Sequence, residues 1–420
     1  WFNNKLQIKY KNIGNFEKTG QAWNGVVAGN SDASLMDQGI KTYQDMWNHG
    51  LGRFNSLYEG LVFDKASKKF PQDASGNFQT FRYRMDDGSL WNRTTDNFYQ
   101  NHNIASMQWR PSNHWTHNAA IHYTYGYGYY REFRPDKKFA KFGMYATDAT
   151  NSKIKRSDFI RRKGLSQHTY GLLYNANYVN EKWDVLAGLN LQHFNGNHFG
   201  YIDYISKRVG YVNLVKPYDG NQYYDSDASK RDYSAFGKAL YHITQQWDVF
   251  GDVQYRFVAY KTDGLNDKFI SLSSAPYYAN QQLNIDKTYS FLNPKAGISF
   301  HKEGHKAYFS VAFANREPER NNFTDNGSYP APTAERLFDY EMGYSYAAQN
   351  WHVSLNLYYM DYHNQFVQTG KKSDIGENLT TNIPVSYRLG AEISADYTPL
   401  SWLTIAGNAA LSQNKIKDFT

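Results

Sequence analysis

A chain of 420 residues can build one large barrel or two to three ordinary domains. With no cysteine it can hold neither a disulfide framework nor a thiolate metal site, and no apolar run approaches the roughly 18–20 residues of a membrane helix. The formal charge of +7 is dispersed among 39 acidic residues, which reads as solvation rather than as a nucleic-acid surface, so no nucleic-acid partner is expected.

In chain order, the first element is a strand from Leu6 to Ile13. Later stretches alternate strictly. Trp183, Val185, Ala187, Leu189 and Leu191 oppose Asp184, Gly188, Asn190 and Gln192. Trp247, Val249, Val253, Tyr255 and Phe257 oppose Asp248, Asp252, Gln254 and Arg256. Phe338, Tyr340, Met342, Tyr344 and Tyr346 oppose Asp339, Glu341 and Ser345. The same holds for Trp351 to Tyr359, Val385 to Tyr397 and Leu403 to Leu411. Successive strand side chains face opposite ways, so each such strand has one apolar and one wet face. About thirteen strands are counted, each near the roughly 9–11 residues of a tilted membrane strand.

The connections alternate in length. Tight turns fall at Pro111–His114, Asn180–Lys182, Gln245–Gln246, Lys302–His305, Ala347–Asn350 and Thr398–Ser401. Long polar segments, roughly 14–100, 126–166, 195–230, 261–287, 316–335 and 368–383, lie between them. Short turns at one end and long loops at the other are the signature of an outer-membrane barrel, with the short turns periplasmic. Aromatics make up 17% of the chain, and Trp109, Trp115, Trp183, Trp247, Trp351 and Trp402 all fall at the short-turn end. They are expected to form a periplasmic aromatic girdle. The expected fold is all-β, a transmembrane antiparallel up-and-down barrel whose water lies inside. Charges such as Asp252, Arg256, Arg388, Glu392 and Asp396 cost little in a hydrated lumen and much in a dry core.

FANREPER (313–320), PTAERLFDYEMGY (332–344), NLYYMDYHNQFVQTG (356–370) and SQNKIKDF (412–419), with FNGNHFG and RDYSAFGKALYHIT earlier, resemble a TonB-dependent outer-membrane receptor. The resemblance runs over essentially the whole chain. It implies a 22-stranded barrel around an N-terminal plug. Residues 1–420 are then read as part of a single transmembrane barrel domain, an internal piece that lacks the plug and the closing strands. The resemblance further implies integral residence in the outer membrane of a Gram-negative bacterium. The implied function is capture of a scarce nutrient (ferric siderophore, haem, cobalamin or similar) and its import with TonB-coupled energy; a passive porin or channel is the alternative. Implied partners are outer-membrane lipid and lipopolysaccharide, the protein's own plug, TonB through the plug, the nutrient ligand and a surface lipoprotein. Where haem receptors carry Phe-Arg-Ala-Pro, this chain has Asn315-Arg316-Glu317-Pro318.

No enzyme is expected. None of the thirteen histidines stands in a metal-ligand spacing, and no Gly-x-Ser-x-Gly elbow or phosphate loop is present. No cofactor, metal or catalytic residue is therefore assigned. Asn315, Arg316, Glu319 and Arg320, where a strand meets a loop, and Glu341, Arg388 and Glu392, on the wet faces, are the candidate ligand- or plug-facing residues.

Overall fold

The computed structural model describes residues 5–20, 33–93, 96–324, 330–372 and 378–417. Among them, thirteen strands form one antiparallel sheet in chain order. They are β1 Leu6–Thr19, β2 Asp96–Trp109, β3 Trp115–Lys138, β4 Arg156–Val179, β5 Trp183–Ile205, β6 Gln222–His242, β7 Trp247–Ser271, β8 Tyr278–Lys302, β9 His305–Arg316, β10 Glu335–Ala347, β11 Trp351–Lys372, β12 Asn378–Leu400 and β13 Leu403–Lys417.

Pairing register carries the alternation of single strands across the whole sheet. Ile121 lies opposite Leu172, Leu172 opposite Leu191, Leu191 opposite Tyr233 and Tyr233 opposite Phe257. Further along, Val311, Tyr340, Tyr359 and Leu389 form a comparable row. The other face carries rows such as Asn190, Ser234 and Arg256. Leu191, Val253, Leu292, Met342 and Ile393 are all exposed on the apolar face. A contiguous apolar surface of this extent has no place in water and matches a lipid belt.

The short turns behave as expected at one end of the sheet. Between β8 and β9 the turn narrows to Glu303–Gly304, both in the left-handed region (φ 49° and 83°), the geometry of a tight hairpin turn. A Cβ on Gly304 would come within 2.2 Å of the Ala347 carbonyl oxygen, so a glycine is required on two counts. The last turn falls at Ser401–Trp402, since β12 runs through Leu400.

At the other end the expected strand lengths are corrected. β3, β4, β7 and β8 run 24, 24, 25 and 25 residues, well beyond a 9–11-residue span. The segment 261–287 is almost wholly a paired ribbon, with only 272–277 between β7 and β8. Backbone pairing continues above the membrane because it needs no apolar alternation, and polar side chains there meet water on both faces.

Two connections fold on themselves. In the β1–β2 connection a helix, Tyr43–Asn48, is capped by Thr42 and Asp45, and Leu35, Ile40, Met46, Leu51 and Phe78 close a small core. Tyr83 and Trp91 then pack against Phe133 and Ile160 of the extended β3–β4 wall. From the β3–β4 connection, Phe139, Phe142 and Met144 pack with Phe159, Ile202 and Tyr223. Phe133 and Phe159 belong to opposite faces, so loop cores cover this wall from both sides.

Leu189 and Asn190 are neighbours on opposite faces of β5. Leu189→Arg should cost about 2–4 kcal/mol in folding titrations into vesicles, as for a cation at the bilayer midplane, while Asn190→Arg stays near neutral. Equal costs would contradict the assignment of the faces. Tags placed at 180–182 and at 206–221 should label on intact cells only in the second position; labelling of the first would reverse the orientation.

Candidate functional site at the mouth of the lumen

The inward face of β6 and β7 concentrates charge near the long-loop end. Lys230 and Asp232 alternate on β6, and Arg256 and Tyr260 on β7. Arg256 donates to Asp232 through Nε and Nη2, at 2.9 and 2.6 Å. Its Nη1 and Nη2 also donate to Glu317, at 2.8 and 2.9 Å. Lys230 Nζ adds a third bond to Glu317 at 2.8 Å. Two cations and two carboxylates thus form one cluster, and both Arg256 contacts are of the strong, two-pronged guanidinium–carboxylate kind.

Glu317 does not belong to the sheet. It opens the segment after β9, where the short helix α1, Arg320–Thr324, follows. Pro318 is buried, and the Glu319 amide donates to Asn322 Oδ1 at 2.6 Å. Phe323 stacks on Tyr260 with centroids 6.3 Å apart. Lys268 Nζ reaches the Thr324 carbonyl at 2.7 Å. On the other side, Asn322 Nδ2 donates to Thr380 Oγ1 of β12 at 2.6 Å. Residues 317–324 therefore tie β6 and β7 to β12. Those walls stand six strand spacings apart at the ends of the tie, about 29 Å of sheet at about 4.8 Å per spacing.

Burial alone would raise the Glu317 pKa, but the hydrogen bond from Lys230 and the charges of Lys230 and Arg256 outweigh it and hold the carboxyl below its ordinary range. Glu317 is thus ionised at neutral pH.

The expected residues divide. Asn315 sits where β9 leaves β8, and its backbone and side-chain N–H groups both donate to Asn293 Oδ1, at 3.0 and 2.9 Å. Its polar groups are occupied in stitching the strand end. Arg316 and Glu319 pair with each other at 3.1 Å and stay exposed, with Arg316 over the Phe366 ring at 5.6 Å. Arg320 turns to the β5–β7 wall, where its charge acts on His198 and Tyr260. Its Nε is shielded from solvent and makes no hydrogen bond among the described residues. Glu341 and Glu392 face inward opposite Ser310 and Asn356 and form no ion pair among the described residues. Arg388 lies over the Tyr362 ring at 5.4 Å. Sequence reading missed Glu317, Lys230, Asn322 and Phe323. The one signal for the first two was a carboxylate beside a proline at a strand end and a lysine alternating with Asp232; their meeting, 87 residues apart, left no trace in either segment.

At the short-turn end, aromatic pairs run along the outward face. Trp115–Tyr178, Trp183–Tyr241, Trp247–Phe300 and Tyr346–Trp351 have centroids 4.5 to 5.1 Å apart. Trp109 lies 5.1 Å from His117, and Trp402 stands in the last turn, 76% exposed. Among the described residues no group of three or more His, Asp or Glu side chains could hold a metal ion.

The family model for "TonB dependent receptor-like, beta-barrel" matches residues 8–419. Among solved structures, the closed form of the ferric-catecholate import receptor Fiu from K12 E. coli aligns over 98% of this chain at 13% identity, TM-score 0.53. Its open form aligns over 98% at 12% identity, TM-score 0.50. A copper transporter, OprC, aligns over 80% at 11% identity, TM-score 0.50. At these identities the likeness is one of fold. The chain spans 56%, 55% and 55% of the three structures. No curated protein matches it significantly. The family is one of integral outer-membrane receptors and transporters, not of enzymes.

Because Glu317 has a lowered folded pKa, its stabilising contribution is complete above the ordinary carboxylate range and is lost as pH falls through the lowered value. The stability gap between full-length wild type and Glu317→Gln, measured by denaturant unfolding in detergent, should be full at pH 7 and close on acidification. A gap independent of pH would show that Glu317 is not held as an anion.

Proposed function

The chain belongs to the TonB-dependent receptor β-barrel family, and from that premise we propose that the whole protein is an active-transport receptor in the outer membrane of a Gram-negative bacterium. It captures a scarce nutrient at the long-loop end and imports it with energy delivered through TonB. The observation that carries this reading is the inward face. Glu341, Glu392 and Arg388 project both charge signs from β10 and β12 with no ion-pair partner among the described residues. A polar plug surface filling the lumen supplies such partners. Each hydrated pair is weak, on the order of 0–1 kcal/mol, so many together hold a plug that force can release stepwise. Residues 1–420 form part of one barrel domain in this reading. The outer edges of β1 and β13, unpaired among the described residues, continue into further strands, since an open sheet edge is untenable in lipid.

Capture falls to the mouth. Arg320, with its shielded and unbonded Nε, is the residue best placed to meet an anionic ligand, with His198 and Tyr260 beside it. Arg316 and Glu319 act at the rim. Ferric siderophore, haem and cobalamin are the ligand classes in question; the ferric-catecholate receptor and the copper transporter of like fold favour a metal complex. The girdle tryptophans Trp109, Trp115, Trp183, Trp247, Trp351 and Trp402 sit at the periplasmic interface, where an amphipathic ring is stable. Lipopolysaccharide surrounds the long-loop end, and the folded β1–β2 connection offers a surface lipoprotein its contact.

Full-length protein in planar bilayers should show little steady conductance. Growth of a deletion strain, complemented with the gene, on a panel of ferric siderophores, haem and cobalamin should depend on TonB for the ligand it uses. Large steady conductance, or uptake that survives loss of TonB, would leave a passive channel instead.

A further inference from the structure

Glu317 occupies a site that its surroundings build without it. Arg256 makes two bonds to Asp232 that do not involve Glu317. Lys230 stands on the adjacent strand with its ammonium turned to the same spot. A bidentate guanidinium edge beside an ammonium is a receptor for a carboxylate or phosphate oxygen pair. The chain's own carboxylate fills it, and the same carboxylate holds down the 317–324 strap, behind which lie Tyr260 and His198.

We propose that Lys230 and Arg256 form an anion-binding site that Glu317 blocks in the resting protein, and that an anionic ligand opens the strap by exchanging with Glu317. This rests on the receptor reading only for the place of the site at the lumen mouth. The exchange keeps the charge count. One carboxylate of the incoming ligand takes the place of the Glu317 carboxylate at the two cations, any further charge on the ligand remaining in water, and the displaced Glu317 passes to water.

Protonation is not the trigger under ordinary conditions. Lys230, Arg256 and Asp232 face Glu317 from β6 and β7, and Tyr289 from β8. With its pKa held low, Glu317 leaves by acid only below the ordinary carboxylate range. Competition by an anion is then the route open at neutral pH. Other fastenings among the described residues include Asn322 to Thr380, Lys268 to the Thr324 carbonyl, and Phe323 on Tyr260. They are neutral or single contacts that can break in sequence once the bidentate clasp is gone.

Residues 1–420 hold no cysteine, so once any cysteine elsewhere in the full-length protein is replaced by serine, a single introduced thiol reports alone. His198→Cys places a thiol behind the strap in the full-length protein on intact cells, and a membrane-impermeant maleimide reads its exposure. Citrate, a small polyanion, serves as the probe. With the clasp intact, labelling should be slow and should rise at least tenfold, with saturation, as citrate is added. Adding Glu317→Gln should give the fast rate without citrate and abolish the citrate response, and Glu317→Ala should repeat this; Glu303→Gln, in a distant turn, should change nothing. Heat-modifiable migration on gels confirms that each variant is a folded barrel. A slow rate in Glu317→Gln, or a citrate response undiminished by that substitution, overturns the proposal. The readout involves neither TonB nor transport, so its failure and the failure of the receptor reading are separable.

Discussion

Everything in this molecule depends on one requirement: within hydrocarbon every backbone N–H and C=O must find a partner in the protein. Thirteen strands meet it by pairing each with its neighbour in chain order. Once the register is set, the faces follow without further instruction. A slip of one residue would send Leu189 to the lumen and Asn190 into lipid, and would do so for every residue of the strand. The aromatic pairs at the short-turn end, Trp183 on Tyr241 and Trp247 on Phe300, lie on these same rows and mark the level where the lipid face stops.

Above that level the requirement relaxes. Water can satisfy a backbone, and the strands need no apolar face. They continue regardless, because pairing once begun adds bonds at little further entropic cost, and β7 and β8 stay paired, through one register shift between Leu265 and Phe269, up to a six-residue connection. The extended wall then offers both of its faces as packing surfaces. Phe133 and Ile160 receive Tyr83 and Trp91 on one side, while Phe159 and Ile202 receive Phe139 and Phe142 on the other. Long connections that would otherwise wave in solvent acquire cores of their own.

This division explains what could be read from the residues alone. The barrel was legible because lipid imposes a period of two on Trp183 to Leu191 and on Trp351 to Tyr359, and because tight turns need particular residues. Strand lengths were not legible. Residues such as Thr262, Asp263, Asn266 and Asp267 carry no alternation, so a paired ribbon reads as a loop. The helix Tyr43–Asn48 was missed for another reason: at six residues it has too few turns to show a periodic face, although Thr42 and Asp45 supply its cap. At the mouth, Arg320 stands out in the sequence as a cation at a strand end, and in the fold its charge acts on His198 and Tyr260. Its neighbour Glu317 was passed over, because a carboxylate takes its meaning from the cations it meets, and Lys230 and Arg256 lie 87 and 61 residues away.

Asp232 is what makes that meeting useful. Had Glu317 been the sole partner of Arg256, its departure would leave a half-buried guanidinium uncompensated, a state costing several kcal/mol and opposing any opening. With Asp232 holding Nε and Nη2 at 2.9 and 2.6 Å, Arg256 keeps its orientation and half of its charge balance when the strap lifts. Asp232 is itself anchored on a strand whose neighbours on both sides are paired through the full height of the wall. The fixed half of the cluster is therefore built on a strand paired on both sides, and the exchangeable half on a segment joined to it by side chains. A surface that must bind and release is best divided in this way, with the cost of ordering its cations already met by the fold before any ligand arrives.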